Sequence, residues 1–249
     1  MKNKISVTIL TKDSQKYIHE CLSALVAFDE IIILDNGSSD NTIKIASSFA
    51  NVKIYTNDFI GFGPLKQLAV SHATNEWILS IDSDEIFSEE LVSEILSLEL
   101  AESTIYSILR DNYYNKKLVK CCGWANDVVE RLFNKNITNF NDKQVHEGIN
   151  INANMKIEHL ENRFKHYTFD SSSELLSKMD KYSTLYAIEH KNKKKSSPLK
   201  AFLSGFFALF KSYILQKGFL NGYEGMLISI SNANGAFYKY AKLYEENKK

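Results

Sequence analysis

Trp77-Ile-Leu-Ser-Ile-Asp-Ser-Asp-Glu85 joins an apolar burst directly to an Asp-x-Asp pair. The burst is apolar on both faces, the mark of a strand in the middle of a sheet, and such a strand delivers the residues after it to the carboxyl edge where α/β folds bind ligands. Three earlier bursts repeat the theme: Ile5-Ser-Val-Thr-Ile-Leu10, Glu30-Ile-Ile-Ile-Leu34 and Val52-Lys-Ile-Tyr55. Between the first two, Tyr17, Ile18, Cys21, Leu22, Leu25 and Val26 recur at three- and four-residue steps and predict one buried helix face. Ser38 to Asn41 supplies cap-type residues for a second helix ending near Phe49, and Pro64 opens a third that carries Leu65, Leu68, Ala69 and His72. Four strands with three crossovers predict a Rossmann-like half.

From Thr104 the rhythm shortens to strand candidates 105–109, 128–133 and 164–169, which suit a mixed or antiparallel extension of the sheet. Helical patterning dominates from Ser171, interrupted by Lys191-Asn-Lys-Lys-Lys-Ser-Ser-Pro198 as the clearest hinge. The predicted division is therefore an α/β domain over 1–170 and a helical subdomain over 171–249. Thirty basic residues balance thirty acidic ones, so the chain as a whole has no electrostatic reason to seek nucleic acid. Cys21 and the adjacent Cys121 and Cys122 form no metal-binding pattern and suit a reducing, cytoplasmic compartment. Ile5 to Leu10 reaches Lys12 and Asp13 too soon for a secretory segment, and the longest strongly apolar uncharged run, Ala201 to Phe210, is about half of the ~20 residues needed to cross a bilayer. No crossing is expected.

Three groups come directly after the bursts and should share one edge: Thr11-Lys-Asp13, Asp35-Asn-Gly-Ser-Ser-Asp40 and Asp82-Ser-Asp-Glu85. Asp82 and Asp84 can turn toward a single divalent cation that also holds two phosphates, although acidic loops and helix caps produce the same spacing. Asp35 can accept from the N3–H of a uracil while the helix after it lies near a diphosphate; by itself the motif also reads as a glycine turn before a capped helix.

The order Val7-Thr-Ile-Leu-Thr11, Ile33-Leu-Asp-Asn-Gly-Ser-Ser-Asp40 and Leu79-Ser-Ile-Asp-Ser-Asp-Glu85 resembles the nucleotide-sugar half of family 2 glycosyltransferases of the GT-A fold. Gly61-Phe-Gly63 with Lys66-Gln67, Gly123-Trp124 with Asp127 and Arg131-Leu-Phe133, Val145-His-Glu147, His166-Tyr-Thr168 and the segments Lys211–Ile214 and Gly218–Gly222 with Gly225 are similar to the lipopolysaccharide core-region members, the WaaE/KdtX group. Asn36 stands where many family 2 enzymes carry a second acid, and Asn221 where the subgroup is expected to carry Asp. The resemblance implies inverting transfer of a hexose, glucose by the subgroup, from a UDP-sugar to a lipid-linked lipopolysaccharide or lipooligosaccharide core acceptor, an inner-core heptose. It implies a Mg²⁺ or Mn²⁺ ion on Asp82, Asp84 and His166, and donor contacts from Thr11, Asp35, Lys66, Asp82 and Arg131.

Such a transfer needs a carboxylate to take the acceptor's proton. Asp127, Glu130, Asp142 and Glu147 are the candidates, with Glu147 where the family's base usually falls and Asp127 next. Glu130 reads as a solvated strand position and Asp142 as a turn residue. Arg131 can clamp a phosphate or pair within its surroundings, and His146 reads as an ordinary hydrogen-bonded histidine. Two rivals carry less: a sugar-phosphate nucleotidyltransferase would place a glycine-rich Arg/Lys loop near Ile5 to Lys12, and a non-catalytic membrane-attached module would not need Asp82, Asp84 and Glu147 together. Seven lysines and no acid lie between Lys191 and Lys217, beside the aromatic face of Phe202, Phe206, Leu209, Phe210 and Tyr213. That pattern predicts contact with an anionic membrane surface, peripheral on the inner face of the cytoplasmic membrane.

Overall fold

The computed structural model describes residues 3–144 and 147–249. Its first part runs β1 (Ile5–Thr11), α1 (Ile18–Ala24), β2 (Glu30–Asp35), α2 (Thr42–Ala46), β3 (Val52–Thr56), α3 (Phe62–His72) and β4 (Trp77–Asp82). The four strands pair in parallel in the order β3-β2-β1-β4. Register sets Thr11 beside Asp35 and Leu10 beside Asp82, so the ends of three strands lie level. Ile31 to Leu34 are fully buried, as expected of strands covered on both faces.

The remaining elements are β5 (Glu85–Phe87), α4 (Glu89–Ser97), β6 (Thr104–Tyr114), β7 (Lys117–Leu118), β8 (Asp127–Asn134), β9 (Lys156–Phe169), α5 (Ser172–Glu189), α6 (Pro198–Phe210) and α7 (Gly222–Glu246). The sheet continues from β4 through β8, β6 and β9 to β5, with β7 on β6. β8 runs antiparallel to β4 and β9 antiparallel to β5, which is the mixed extension that the shortened rhythm predicts. By contacts the chain forms two compact units, Met1–Arg110 with Val128–His166, and Asp111–Asp127 with Tyr167–Lys249. The segment 111–127 thus groups with the later helices, which a boundary at residue 170 does not anticipate.

Several predicted limits shift for physical reasons. α1 ends at Ala24, so Val26 leaves the buried stripe and is 60% exposed, while Ile18, Cys21, Leu22 and Leu25 stay inside. α2 stops at Ala46, three residues before Phe49. β9 begins at Lys156 instead of Phe164: residues 156–159 are all exposed, and Glu161, Arg163 and Lys165 alternate with buried Leu160, Phe164 and His166, so polar residues mute the apolar signal. α6 passes through Lys211 into a turn of π-helix, Lys211–Leu215, without a break. The resulting 18-residue run Pro198–Leu215 is long and apolar enough to cross a membrane by composition, and 17% of it is buried. The uncharged run 201–210 understates it.

Buried Glu30, at the opposite end of β2 from Asp35, collects the Lys53 ammonium, the Ser6 hydroxyl and the Thr74 amide and hydroxyl. Burial pushes its carboxyl up, these donors outweigh that, and it settles at about 2. A depressed carboxylate adds stability above its ordinary value near 4.5 and loses it as pH falls toward 2. Acid titration of the thermal melt should therefore show a loss across that window that is smaller in Glu30→Gln, while Asp35 and Asp82 keep their own share of it.

Gly61 caps the start of α3 with a φ of 109° that suits glycine. Its first turn touches the loop 141–144: the Phe62 and Gly63 amides donate to the Gln144 and Lys143 carbonyls at 3.2 and 3.0 Å. A Cβ at Gly63 would overlap the Asn141 carbonyl oxygen and lie 2.8 Å from that of Lys143. Gln67 Nε2 completes the clasp on the Phe140 carbonyl at 2.7 Å and the Asp142 carboxylate at 2.9 Å. Gly63→Ala is expected to lower stability by about 1–3 kcal/mol, the usual effect of overpacking, read as an earlier thermal melt.

In the second unit Tyr114, Val119, Cys121, Cys122, Leu175 and Ile228 form a core. The two cysteine sulfurs lie 3.2 Å apart, and burial pushes the Cys121 thiol up to about 12, so Cys121 packs as an inert thiol.

Candidate active site

The loops after β1 and β2 are laced together. Lys12 Nζ donates to the Gly37 and Asn36 carbonyls, Asp13 Oδ1 accepts from the Ser39 amide at 2.7 Å, and the Ser14 amide donates to Thr42 Oγ1 at 2.7 Å. Asp35 organises this lacing. Its Oδ1 accepts from the Thr11 and Ser38 hydroxyls at 2.8 and 2.5 Å, and its Oδ2 from the Gly37 and Ser38 amides at 2.9 and 2.8 Å. Burial raises the Asp35 carboxyl, and these four donors pull it below the ordinary range. Asp35 and Thr11 are each 2% exposed, and the Thr11 and Ser38 hydroxyls both donate to Asp35 Oδ1.

The acidic end of β4 meets two buried cations. Register Leu79↔Leu132 sets Arg131 beside Ser80, on the face that Asp82 shares at a two-residue step. Arg131 Nη2 lies 3.2 Å from Asp82 Oδ2, and Lys66 Nζ, from α3, lies 3.1 Å from Asp82 Oδ1. Burial would raise the Asp82 carboxyl, but Lys66, Arg131 and His166 hold it far below the carboxylate range. Lys66 also faces Glu147 Oε1 at 3.4 Å, so one ammonium bridges the strand-end acid and the base candidate.

Beneath them lies Glu85, fully buried. Its Oε1 pairs with Arg131 and stands 3.5 Å from Arg110 Nη1, while its Oε2 accepts from the Asp82 amide at 3.1 Å. Burial alone would lower the Arg131 guanidinium; Glu85 and Asp82 hold it above its ordinary value. Arg131 thus pairs across to Glu85 and Asp82, and its buried Nε keeps no partner. Arg110 and Glu85 are site residues to which the sequence patterns assign no role. Glu85 could have been suspected from its place beside the Asp-x-Asp pair, whereas Arg110 meets it only through tertiary pairing.

Asp84 and His166 face each other, Oδ2 to Nε2, at 3.5 Å, because Glu85 pairs with His166 in the β5–β9 register. One carboxylate oxygen and one imidazole nitrogen fit a divalent ion with further positions left for phosphate and water. Asp82, the other aspartate expected on the cation, lies close enough for His166 to act on its carboxyl, and its two oxygens stand 3.1 and 3.2 Å from Lys66 and Arg131. Among the described residues no three His, Cys, Asp or Glu side chains form a ready ligand set. His146 lies outside the described residues, as does Val145 of its motif. Asp127 belongs to the second unit, where Asn112 Nδ2 donates to it at 2.9 Å and Thr168 Oγ1 donates to Asn112 at 3.1 Å. Asp142 serves Gln67 and the loop clasp, and Glu130 is half-buried on β8.

Four parallel strands in the order β3-β2-β1-β4, an antiparallel continuation, and acids converging at the carboxyl edge define a glycosyltransferase of the GT-A fold. The chain belongs to glycosyl transferase family 2, whose model matches residues 6–219. A glycosyltransferase of Rickettsia typhi is 29% identical over 97% of this chain and 87% of its own length. The lipopolysaccharide core biosynthesis glycosyltransferase LpsC of Rhizobium meliloti is 24% identical over 99% of this chain and 94% of its own. Among solved structures, S. aureus TarS 1-349 in complex with UDP-GlcNAc aligns over 99% of this chain and 90% of that one, with 16% identity and a TM-score of 0.49.

Proposed function

We propose that this glycosyltransferase moves a hexose, with inversion, from a UDP-sugar to a lipid-linked lipopolysaccharide or lipooligosaccharide core acceptor. The observation that carries the reading is the Lys66 bridge: one buried ammonium touches both Asp82, at the donor edge, and Glu147, the carboxylate suited to the acceptor side. Glu147 takes the proton of the acceptor hydroxyl as that oxygen bonds to the anomeric carbon, while the bond from that carbon to the diphosphate oxygen breaks. In this reading Lys66 and Arg131, the two cations at the donor edge, offset the charge that gathers on the departing diphosphate. The likeness to LpsC over nearly the whole of both chains supports a core acceptor, and the subgroup motifs support glucose and heptose.

Asp82, Asp84, Glu85 and Glu147 outnumber Lys66, Arg110 and Arg131 by one charge, so a diphosphate arriving alone meets a net negative site. A Mg²⁺ or Mn²⁺ ion held by Asp84 and His166 would offset that charge. UDP binding measured by calorimetry should weaken at least tenfold, about 1.4 kcal/mol, when EDTA replaces Mn²⁺. Equal affinity in both would remove the metal. Activity is tested by incubating the protein with a panel of nucleotide sugars and a core acceptor and measuring released nucleotide; UDP released with a product of inverted anomeric configuration is expected, and a retained configuration by NMR would refute single displacement.

A further inference from the structure

α6 has its side chains arranged in the opposite sense to a helix in a water-soluble bundle. Toward α7 it turns Ala201 and Gly205, and the π-helical turn after it Ser212, all buried. A Cβ at Gly205 would lie 3.1 Å from Phe237 Cβ and 3.2 Å from the Ala233 carbonyl, so the two helices approach backbone to backbone. Its large apolar residues point outward: Phe202, Phe206 and Phe207 are 61%, 57% and 61% exposed. The outward face continues past the π-turn through Leu215, Leu220 and Tyr223, each more than half exposed.

Water drives large apolar groups inward, whereas lipid offers no such drive and leaves small residues at helix contacts, where they allow close approach. Charge agrees with the packing. The seven lysines from Lys191 to Lys217 have no acid among them, and Lys239 and Lys200 stand 3.9 and 4.7 Å from the rings of Tyr186 and Tyr240 beside the start of α6. Ser196 Oγ donates to the Tyr240 carbonyl at 2.6 Å, and Asn232 Nδ2 donates to Ser212 Oγ at 3.0 Å, which pins α6 antiparallel along α7 at both ends. α6 could not cross a bilayer without dragging in the charged end of α7, with Lys239, Lys242, Glu245 and Glu246.

We propose that α6 and the turns after it, through Tyr223, lie in the plane of an anionic bilayer interface, with the outward Phe and Leu residues among the acyl chains and the lysines at the headgroups. This surface belongs to the second unit and stands whether or not the donor assignment holds.

The full chain, mixed with vesicles of equal phosphatidylglycerol and phosphatidylcholine, should sediment with them at low salt and much less with phosphatidylcholine alone. Replacing Lys193, Lys194 and Lys195 with Gln should weaken partitioning by about a hundredfold, since each basic residue near an anionic surface contributes about 1 kcal/mol. Phe206→Trp should gain fluorescence quenched by brominated lipid, against the background of Trp77 and Trp124 in the wild type. These side chains are exposed, so each variant should melt with the wild type; where one melts early, wild-type sedimentation decides by itself. Failure of the wild type to sediment with the anionic vesicles, or sedimentation without quenching at position 206, overturns insertion. A concentration-dependent dimer that shifts the emission of Phe206→Trp without lipid binding overturns it in favour of a second copy.

Discussion

Glu147→Gln is expected to keep UDP affinity within about twofold and to slow sugar transfer by about 10²–10⁴, the usual worth of a general base. Lys66 retains Asp82 as a partner at 3.1 Å in this variant, so the donor edge should stay formed and the loss should fall on turnover. Calorimetry with UDP beside initial-rate measurement separates the two. Retention of more than a tenth of the wild-type rate would move the role to Asp127, and Asp127→Asn would then have to show the larger loss. Since Asp127 is buttressed by Asn112 and Thr168, a thermal melt accompanies that comparison.

Arg131→Met is expected to cost about 3–5 kcal/mol of stability, because it removes the closest cation from Glu85, which has no exposed surface, and leaves it the Asp82 amide at 3.1 Å and Arg110 at 3.5 Å. For a chain of this size that corresponds to a melting temperature lower by roughly 6–20 °C. Removing both members of the pair with Arg131→Met and Glu85→Met should restore a large part of the loss, since a buried charge pair replaced by apolar groups is often neutral. A single variant that melts with the wild type would show that Glu85 has found water or another cation, and the network would then be ornamental to the fold. UDP binding should fall in both the single and the double variant, because each also takes Arg131 from Asp82.

The parallel half is legible in the sequence because its signals are local. Ile5–Thr11, Glu30–Asp35 and Trp77–Asp82 are each mainly apolar runs ending in a polar residue, and register then needs only that their ends lie level. β5, β7 and most of β9 are not legible. Two are too short for a period to show, and the third carries polar residues along its outward side.

The functional residues divide the same way. Asp82, Asp84, Asp35 and Thr11 can be named from strand ends alone, since a strand that ends at the carboxyl edge must present its next residues there. The groups that each of them faces cannot. Asp82 has Lys66 and Arg131 as partners because α3 and β8 bring two buried cations to it from 16 and 49 residues away along the chain. Glu85 and Arg110 became the floor of the site through β5 and β6, elements separated in sequence and held in one sheet only by the pairing order. The inverted face of α6 stands between these cases. Its aromatic and lysine content is written in the sequence, but a helix can turn such residues in or out, and only packing against α7 through Ala201 and Gly205 decided that they point away from the protein. Sequence determines which groups are available because that depends on neighbours along the chain. Tertiary structure decides which charges meet because Coulomb and packing terms depend on distance in space, which the chain order does not contain.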